Sequence, residues 1–378
     1  MKKVFLSAIL VTAMIFSFIA CTKKESQGVA QRGEQKTGGF SVAMSNGYFG
    51  NTWRAQHMQI FEERAREYQE MGIISEFFTA NTNADITEQL NQIHAFLNQG
   101  VDAILINPAS PVAMLPVVNR ALQMGVLVVF VDSAGPFPGT YAVFGDNVSW
   151  QRVQAVWLAE QLKGKGDVVE IAGVPGAPAS ILREGENRRV FAEHYPGMRI
   201  VSQVHGRWSP TEAQALMTTI LASNINFDAI LTQDIMAEGI FRAYENAGRT
   251  PPTMTGDFIK SFFTRWAEMP NLNTMGISYP PGISRSALDI TIKLLQGRKF
   301  REGVLQPHVD DPNLINTIYI DSPYVVTKEA NQNAIWMQGL VGTKSISLAE
   351  ALEILADLPE SAALDGWLSD EVVESLFE

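Results

Sequence analysis

Three aspartates, two arginines and a group of amides stand where a chain of this kind most easily builds chemistry, directly after short apolar runs. Ser45 and Asn46 close the first run, and Asn51, Trp53 and Arg54 follow within a few residues. Asn107 and Ser110 follow another run, and Asp132 a third. Further on, Gln233 and Asp234 follow one more, Asp257 comes shortly after Met254, and Arg183 sits near the start of an expected helix. If the apolar runs are parallel strands, these residues gather at the carboxyl ends of the strands, where open α/β sheets bind ligands. Carboxylates, amides and guanidinium forks together suit hydroxyl groups, because each hydroxyl both donates and accepts. An aromatic ring such as Trp53 offers a face to the C–H groups of a sugar. The set implies recognition of a small polyol.

Each residue also has an ordinary role open to it. Trp53 fits the core face of its helix, and Arg54 and Arg183 fit as solvated helix charges. Asn51 and Asp257 are placed to cap helices beginning near residues 53 and 258. Asn107-Pro108 reads as a turn, and Asp132 as a structural carboxylate. Recurrence at several strand ends is what favours the ligand reading. Catalytic patterns are missing. The five histidines, 57, 94, 194, 205 and 308, form no H-x-x-x-H pair and have no cysteine partner beside them, so the sequence gives no support for zinc. There is no G-x-S-x-G elbow, and no G-x-G-x-x-G follows the first strand. Gly342-Thr343-Lys344-Ser345 lacks the glycine that a phosphate loop places directly before its lysine. Neither a cofactor nor an enzymatic step is expected.

The elements that must position this set alternate along the chain. Strands are expected at 40–45, 73–79, 103–106 and 126–131, with helices at 53–71, 86–99 and 112–124 between them, and a strand at 141–144 begins a second series. Ile86, Leu90, Ile93 and Leu97 recur on one helical face. Ala103–Ile106 is wholly apolar, as a strand buried on both faces would be. The second series has helices at 149–162, 181–194, 211–222, 236–247, 258–268 and 283–296. Its strands are at 168–172, 199–204, 228–232, near 254 and at 274–278. Such alternation predicts parallel sheets with right-handed crossovers. Two units of similar size imply an α/β fold of two Rossmann-like lobes facing each other across a cleft. Beyond about residue 330 the pattern changes to two amphipathic helical stretches, read as packing on a lobe or as a partner-binding tail.

The N-terminus reads as an export signal. Lys2 and Lys3 precede an almost wholly apolar run from Val4 to Ala20, and Cys21, the chain's one cysteine, follows. Residues 1–21 are expected to be a lipoprotein signal with Cys21 as the lipidated residue, although Phe18 stands where a bacterial lipobox usually has Leu. Residues 22–39 are expected to be a flexible tether. The protein would then be anchored to a membrane by lipid, in a periplasm or at a cell surface. Without other cysteines the fold cannot rest on disulfides, and 378 residues with 46% apolar content suffice for large cores. The net charge of −11 argues against nucleic acid as a partner.

Several motifs together resemble the type I periplasmic sugar-binding proteins of ABC transporters, the ribose- and galactose-binding group. They are SNGYFGNTWR, DITEQLNQIHAFLNQGVDAILINPAS, GVLVVFVD, YAVFGDN, INFDAILTQDIMAEGIFRAYENAGR and MTGD. The resemblance spans roughly residues 40–330. It implies a periplasmic binding protein-like fold with a three-crossover hinge near residues 145, 278 and 312. The first lobe would be 40–145 plus 279–311, the second 146–278 plus 312–330, and 331–378 a helical extension. It also implies closure around a monosaccharide, whether pentose, hexose or furanose, followed by delivery to a permease and its ATPase by a monomeric protein. Trp53 and Arg54 would form a first-lobe stacking and hydrogen-bonding pair closer to the furanose-binding branch. Arg183, Gln233 and Asp257 would be the second-lobe contacts. Ser110 stands where many relatives have aspartate. Ser278 stands where several have glutamine, with Tyr279 as its substitute. A sensory role at a chemoreceptor, or a nucleoside or furanosyl signal as ligand, remains open on the same residues. LacI-type regulators share the fold, but a DNA-binding headpiece would have to occupy the place of the signal and tether.

Overall fold

The computed structural model describes residues 38–223 and 225–378. The signal segment, Cys21 and most of the tether lie outside the described residues. The alternation condenses into two seven-stranded sheets, one per lobe. The first lobe is built from β1 (Phe40–Asn46), α1 (Thr52–Glu70), β2 (Ile74–Asn81), α2 (Ile86–Gln99), β3 (Ala103–Asn107), α3 (Pro111–Gln123), β4 (Leu127–Val131) and β5 (Tyr141–Gly145). These five strands pair in parallel. β3 is buried at every residue, which explains its unbroken apolar run before Asn107. Local signals fix the helix starts. The Asp85 carboxylate accepts from the Glu88 amide at 2.9 Å to open α2, and Pro111 occupies the first turn of α3.

The second lobe continues with α4 (Asn147–Gln161), β6 (Lys165–Ala172), α5 (Pro178–His194), β7 (Gly197–His205), α6 (Pro210–Ala222), β8 (Ala229–Thr232), α7 (Ala237–Asn246), β9 (Thr253–Thr255), α8 (Lys260–Glu268) and β10 (Thr274–Ile277). Its strands run in the order β10-β9-β8-β6-β7, all parallel. The chain then recrosses. α9 (Ile283–Leu295) returns to the first lobe and packs against α1, burying Ile283, Ala287, Leu288 and Ile290.

The third crossover lies later than residue 312. β11 (Gln306–His308) and β12 (Asp311–Ile320) belong to the first sheet, where Thr317–Ile320 pairs in parallel with Ala142–Gly145. The chain enters the second lobe only after Ile320, where β13 (Tyr324–Thr327) pairs antiparallel with β10. The crossover that the resemblance implies near residue 312 falls instead on Asp311, Pro312 and Asn313 at the start of β12. They form the exposed outer part of a ribbon with β11, and only the buried second half of β12 joins the sheet.

The tail is also less helical than its leucine spacing implies. Lys344–Ser347 forms β14, which extends the second sheet beside β13. Two short helices follow, α10 (Leu348–Ile354) and α11 (Asp370–Ser375). Ser347 opens α10 with a reciprocal capping box to Glu350. α10 packs on α8 in the second lobe, whereas α11 packs on α9 in the first.

Candidate ligand-binding site between the lobes

The carboxyl ends of both sheets converge on the crossovers, and side chains there form one polar chain from lobe to lobe. Arg54, in the first turn of α1, is ion-paired with Asp132 at the end of β4. The Tyr279 hydroxyl donates to Asp132 Oδ1 at 2.7 Å. Asn147 Nδ2 donates to that same hydroxyl oxygen at 3.3 Å, and Arg183 Nε donates to Asn147 Oδ1 at 2.8 Å. Arg183 ends the chain in an ion pair with Asp234. Asn147 opens the second lobe at the first crossover, and Tyr279 sits in the second crossover, so the network ties the candidate site to the hinge.

Aromatic rings frame this network. The Arg183 guanidinium lies 4.1 Å from the Trp150 ring centroid and 4.7 Å from that of Tyr279. Trp53 donates its indole N–H to the Tyr279 carbonyl at 2.7 Å, and Trp150 donates to the Ile277 carbonyl at 3.2 Å. His57 Nδ1 donates to the Pro281 carbonyl at 2.9 Å. Burial, and then the Arg54 charge, lower the His57 pKa to about 3, so the ring is neutral. The second crossover is therefore gripped by α1 from one lobe and α4 from the other. Gly145 lets Tyr279 lie against the first crossover, since a side chain there would collide with the phenol ring.

Second-lobe strand ends add a further group. The Gln233 Oε1 accepts from the Trp208 indole N–H at 3.2 Å, and Trp208 rests on Gly173, where any Cβ would strike its ring. Arg207, Trp208 and Ile235 have positive φ, as does Asp132 in the first lobe. Non-glycine residues in that region carry strain, and such strain clusters at functional sites. Asp257 Oδ1 accepts from the Phe258 amide at 2.8 Å. It is not the cap of α8, which starts two residues beyond Phe258 with Ile259 in the cap position.

The charge states follow from surroundings. Burial would raise the Asp132 carboxyl, but the Arg54 charge and the Tyr279 hydrogen bond hold it below the usual carboxylate range. Burial raises Asp234 even against Arg183. Burial pushes Asp257 up to about 7 against the nearby amides of Phe258 and Ile235. Five buried polar atoms of the candidate set make no protein hydrogen bond: Asn46 Oδ1, Arg54 Nη1, Gln233 Nε2, Asp234 Oδ1 and Asp257 Oδ2. They come from both lobes and include donors and acceptors. Buried polar groups ordinarily find partners, so this grouping fits a ligand rich in hydroxyls.

Most of the other candidates bond within the protein. Gln89 Nε2 donates to Ser45 Oγ at 3.1 Å and to the Asn107 carbonyl at 2.8 Å. The Asn107 amide donates to the Val131 carbonyl at 3.1 Å and joins β3 to β4. Asn51 caps α1 by accepting from the Arg54 amide at 2.9 Å. Ser110 occupies the cap position of α3 without a side-chain cap bond. The Ser278 hydroxyl accepts from the Tyr324 amide at 3.0 Å and donates to its carbonyl at 3.2 Å, fastening the second crossover to the third. Trp53 is 7% exposed, stacked on His57 at 4.9 Å with the Arg54 guanidinium 4.6 Å from its centroid, so its ring braces the hinge. Asn147, Trp150 and Trp208 were not among the sequence candidates. Asn147 is within reach of the strand-end rule, since it stands two residues after Tyr141–Gly145. Among the described residues no group of three or more His, Cys, Asp or Glu side chains could hold a metal ion. None of the described helices is long and apolar enough to cross a membrane.

Two lobes built on mostly parallel sheets, three crossovers and a polar site between them define a two-lobed ligand-binding protein. The chain belongs to the family whose model is described as the periplasmic binding protein domain, matched over residues 42–299. It is 24% identical over 302 residues to the ribose import binding protein of Bacillus subtilis, covering 79% of this chain and 96% of that protein. It is 29% identical over 179 residues to the xylitol-binding protein of Mycolicibacterium smegmatis, covering 47% and 51% of the two chains. The crystal structure of an ABC transporter solute binding protein from Thermobispora bispora superposes with a TM-score of 0.67 at 28% identity, covering 84% of this chain and 96% of that one. Proteins of this family bind ligands and are not enzymes, and the family places the chain outside the cytoplasm.

Proposed function

We propose that this protein captures a monosaccharide or a related small polyol for an ABC importer and presents it to a permease served by an ATPase. The observation that carries this reading is the polar chain that runs from Arg54 through Asp132, Tyr279, Asn147 and Arg183 to Asp234, joins both lobes at the crossovers and leaves Arg54 Nη1 and Asp234 Oδ1 unpartnered at its ends. A ligand bridging the lobes favours their approach by its greater affinity for the closed arrangement. The ribose import and xylitol-binding relatives support a hydroxyl-rich ligand. Ser45, Asn107 and Ser278 serve as scaffold, while Asn46, Arg54, Asp132, Arg183, Gln233 and Asp257 form or hold the contact surface. The protein acts as a monomer, held by lipid on Cys21 at the periplasmic or outer face of a membrane.

A thermal-shift screen of the chain from Gly39 against pentoses, hexoses, polyols and nucleosides tests this. A specific ligand at a hundred times its dissociation constant adds about 2.7 kcal/mol of stability, a shift of several degrees at most. The expected result is a response to one sugar or polyol. A response confined to nucleosides would replace the sugar reading, and a folded sample with no response would overturn it.

A further inference from the structure

We infer that the C-terminal segment from Ala363 to Glu378 is a fourth tie between the lobes, which limits how far the cleft can open. The inference rests on the reading of this chain as a protein whose lobes close on a ligand. After α10 the chain lies along the start of α8. The Lys260 amide donates to the Ala362 carbonyl at 2.8 Å, the Ser261 amide to Glu360 at 2.9 Å, and the Leu364 amide to Phe258 at 2.7 Å. All three bonds belong to the second lobe.

Within one or two residues the same segment is bonded to the first lobe and the hinge. The Ala363 amide donates to Gln56 Oε1 on α1 at 2.8 Å. Asp365 Oδ1 accepts from the Gly282 amide at 2.8 Å, directly before α9. The Leu368 amide donates to Ser286 Oγ at 3.0 Å. α11 then runs over the first lobe, where Asp370 pairs with Arg64 at 2.8 Å and Glu374 with Arg298 at 2.7 Å. Phe377 stacks on Phe300 at 4.5 Å, and the last amide, of Glu378, donates to the Lys299 carbonyl at 2.9 Å.

Both ends of the tie are locked by burial. Leu364 and Phe377 are 0% exposed and Val373 is 1% exposed. Between Leu364, bonded to the second lobe, and Leu368, bonded to the first, only three residues intervene, with no slack beyond the roughly 3.3–3.6 Å that each residue can span. An opening rotation that separates Phe258 from Ser286 first uses up the reach of those three residues and then breaks bonds on one side or the other. The three crossovers alone would leave the lobes freer to part, as hinge-closing proteins do. The tie therefore biases the unliganded protein toward closure and raises the share of molecules competent to bind.

The test slackens the tie while keeping both anchors. A Gly/Ser linker of about ten residues is inserted between Leu364 and Asp365 and combined with Gln56→Ala, in a Cys21→Ser background. Spin labels on Val112→Cys and Ile181→Cys, exposed residues on opposite lobes, report the interlobe distance by pulsed electron resonance without ligand. The expected result is a broader distribution shifted to longer distance. Apparent affinity for whichever ligand the wild type binds should also fall by about tenfold, because a smaller fraction is competent. The same linker placed beside the exposed Val341, within the second lobe, should change neither quantity. Gln56→Ala alone should broaden the distribution in the same direction, which covers the case of an insertion that fails to fold. A slackened protein with the wild-type distance distribution would overturn the tie. Because the distance is read without ligand, that result stands whether or not the ligand is a sugar.

Discussion

Arg183→Ala is expected to weaken ligand binding by about a hundredfold, near 3 kcal/mol, the scale seen when one member of a buried charge pair is removed at an interface. Arg183 is 1% exposed and serves two purposes at once. It donates to Asn147 and pairs with Asp234, and its guanidinium packs on Trp150 and Tyr279. Its loss leaves the half-buried Asp234 carboxylate without its cation and removes the second-lobe end of the polar chain. Arg183→Lys separates the two roles. Lysine restores a positive charge but lacks the planar fork and the stacking surface. It should recover much of the melting temperature and little of the affinity. Titration calorimetry and a circular dichroism melt on both variants check this. Affinity within tenfold of wild type for Arg183→Ala would remove Arg183 from the site.

Asp132→Asn is the second large effect, and it falls on stability. The carboxylate receives the Arg54 guanidinium and the Tyr279 hydroxyl, in a left-handed conformation that asparagine tolerates. The amide keeps the shape and loses the charge, leaving Arg54 uncompensated. With the two side chains 14% and 9% exposed, breaking this largely buried pair costs about 3 kcal/mol at most. A pH signature identifies the cause. The folded carboxyl titrates below the usual carboxylate range, and the unfolded one near 3.9. Wild type therefore holds this stabilisation in full above the unfolded value and loses it as pH falls through the folded one. Asp132→Asn should lack that loss. Urea unfolding midpoints should differ most near neutral pH and converge in acid. A constant difference across pH would assign the effect to packing instead of charge.

The architecture was legible because local and global signals agree. Unbroken apolar strands such as Ala103–Ile106 and capped amphipathic helices such as Ile86–Gln99 point to the same parallel sheets. The charged part of the candidate site was legible for a related reason, since Arg54, Asp132, Arg183 and Asp257 stand at or near strand ends or in the turns of helices that follow them. What escaped depends on distant pairing. The Ser278 hydroxyl lies between the Tyr324 amide and carbonyl, a bond to a residue 46 positions away that no local pattern announces. Trp208 takes its place from a positive φ and from the bare surface of Gly173, neither of which a spacing rule reveals. β12 hid behind turn-prone residues that a two-stranded ribbon accommodates. The tail hid because its leucines belong partly to one lobe and its final aromatic to the other.

The most direct test of the central claim is titration calorimetry of the chain from Gly39 against stereoisomeric pentoses and hexoses at one pH and temperature. A polar site built from both lobes predicts one ligand per chain, a dissociation constant of roughly micromolar order for one sugar, and binding at least about a hundredfold weaker for its epimer, whose misplaced hydroxyl leaves buried groups unpaired. Weak heats of similar size for every sugar, or stoichiometric binding of a molecule without hydroxyls, would contradict it.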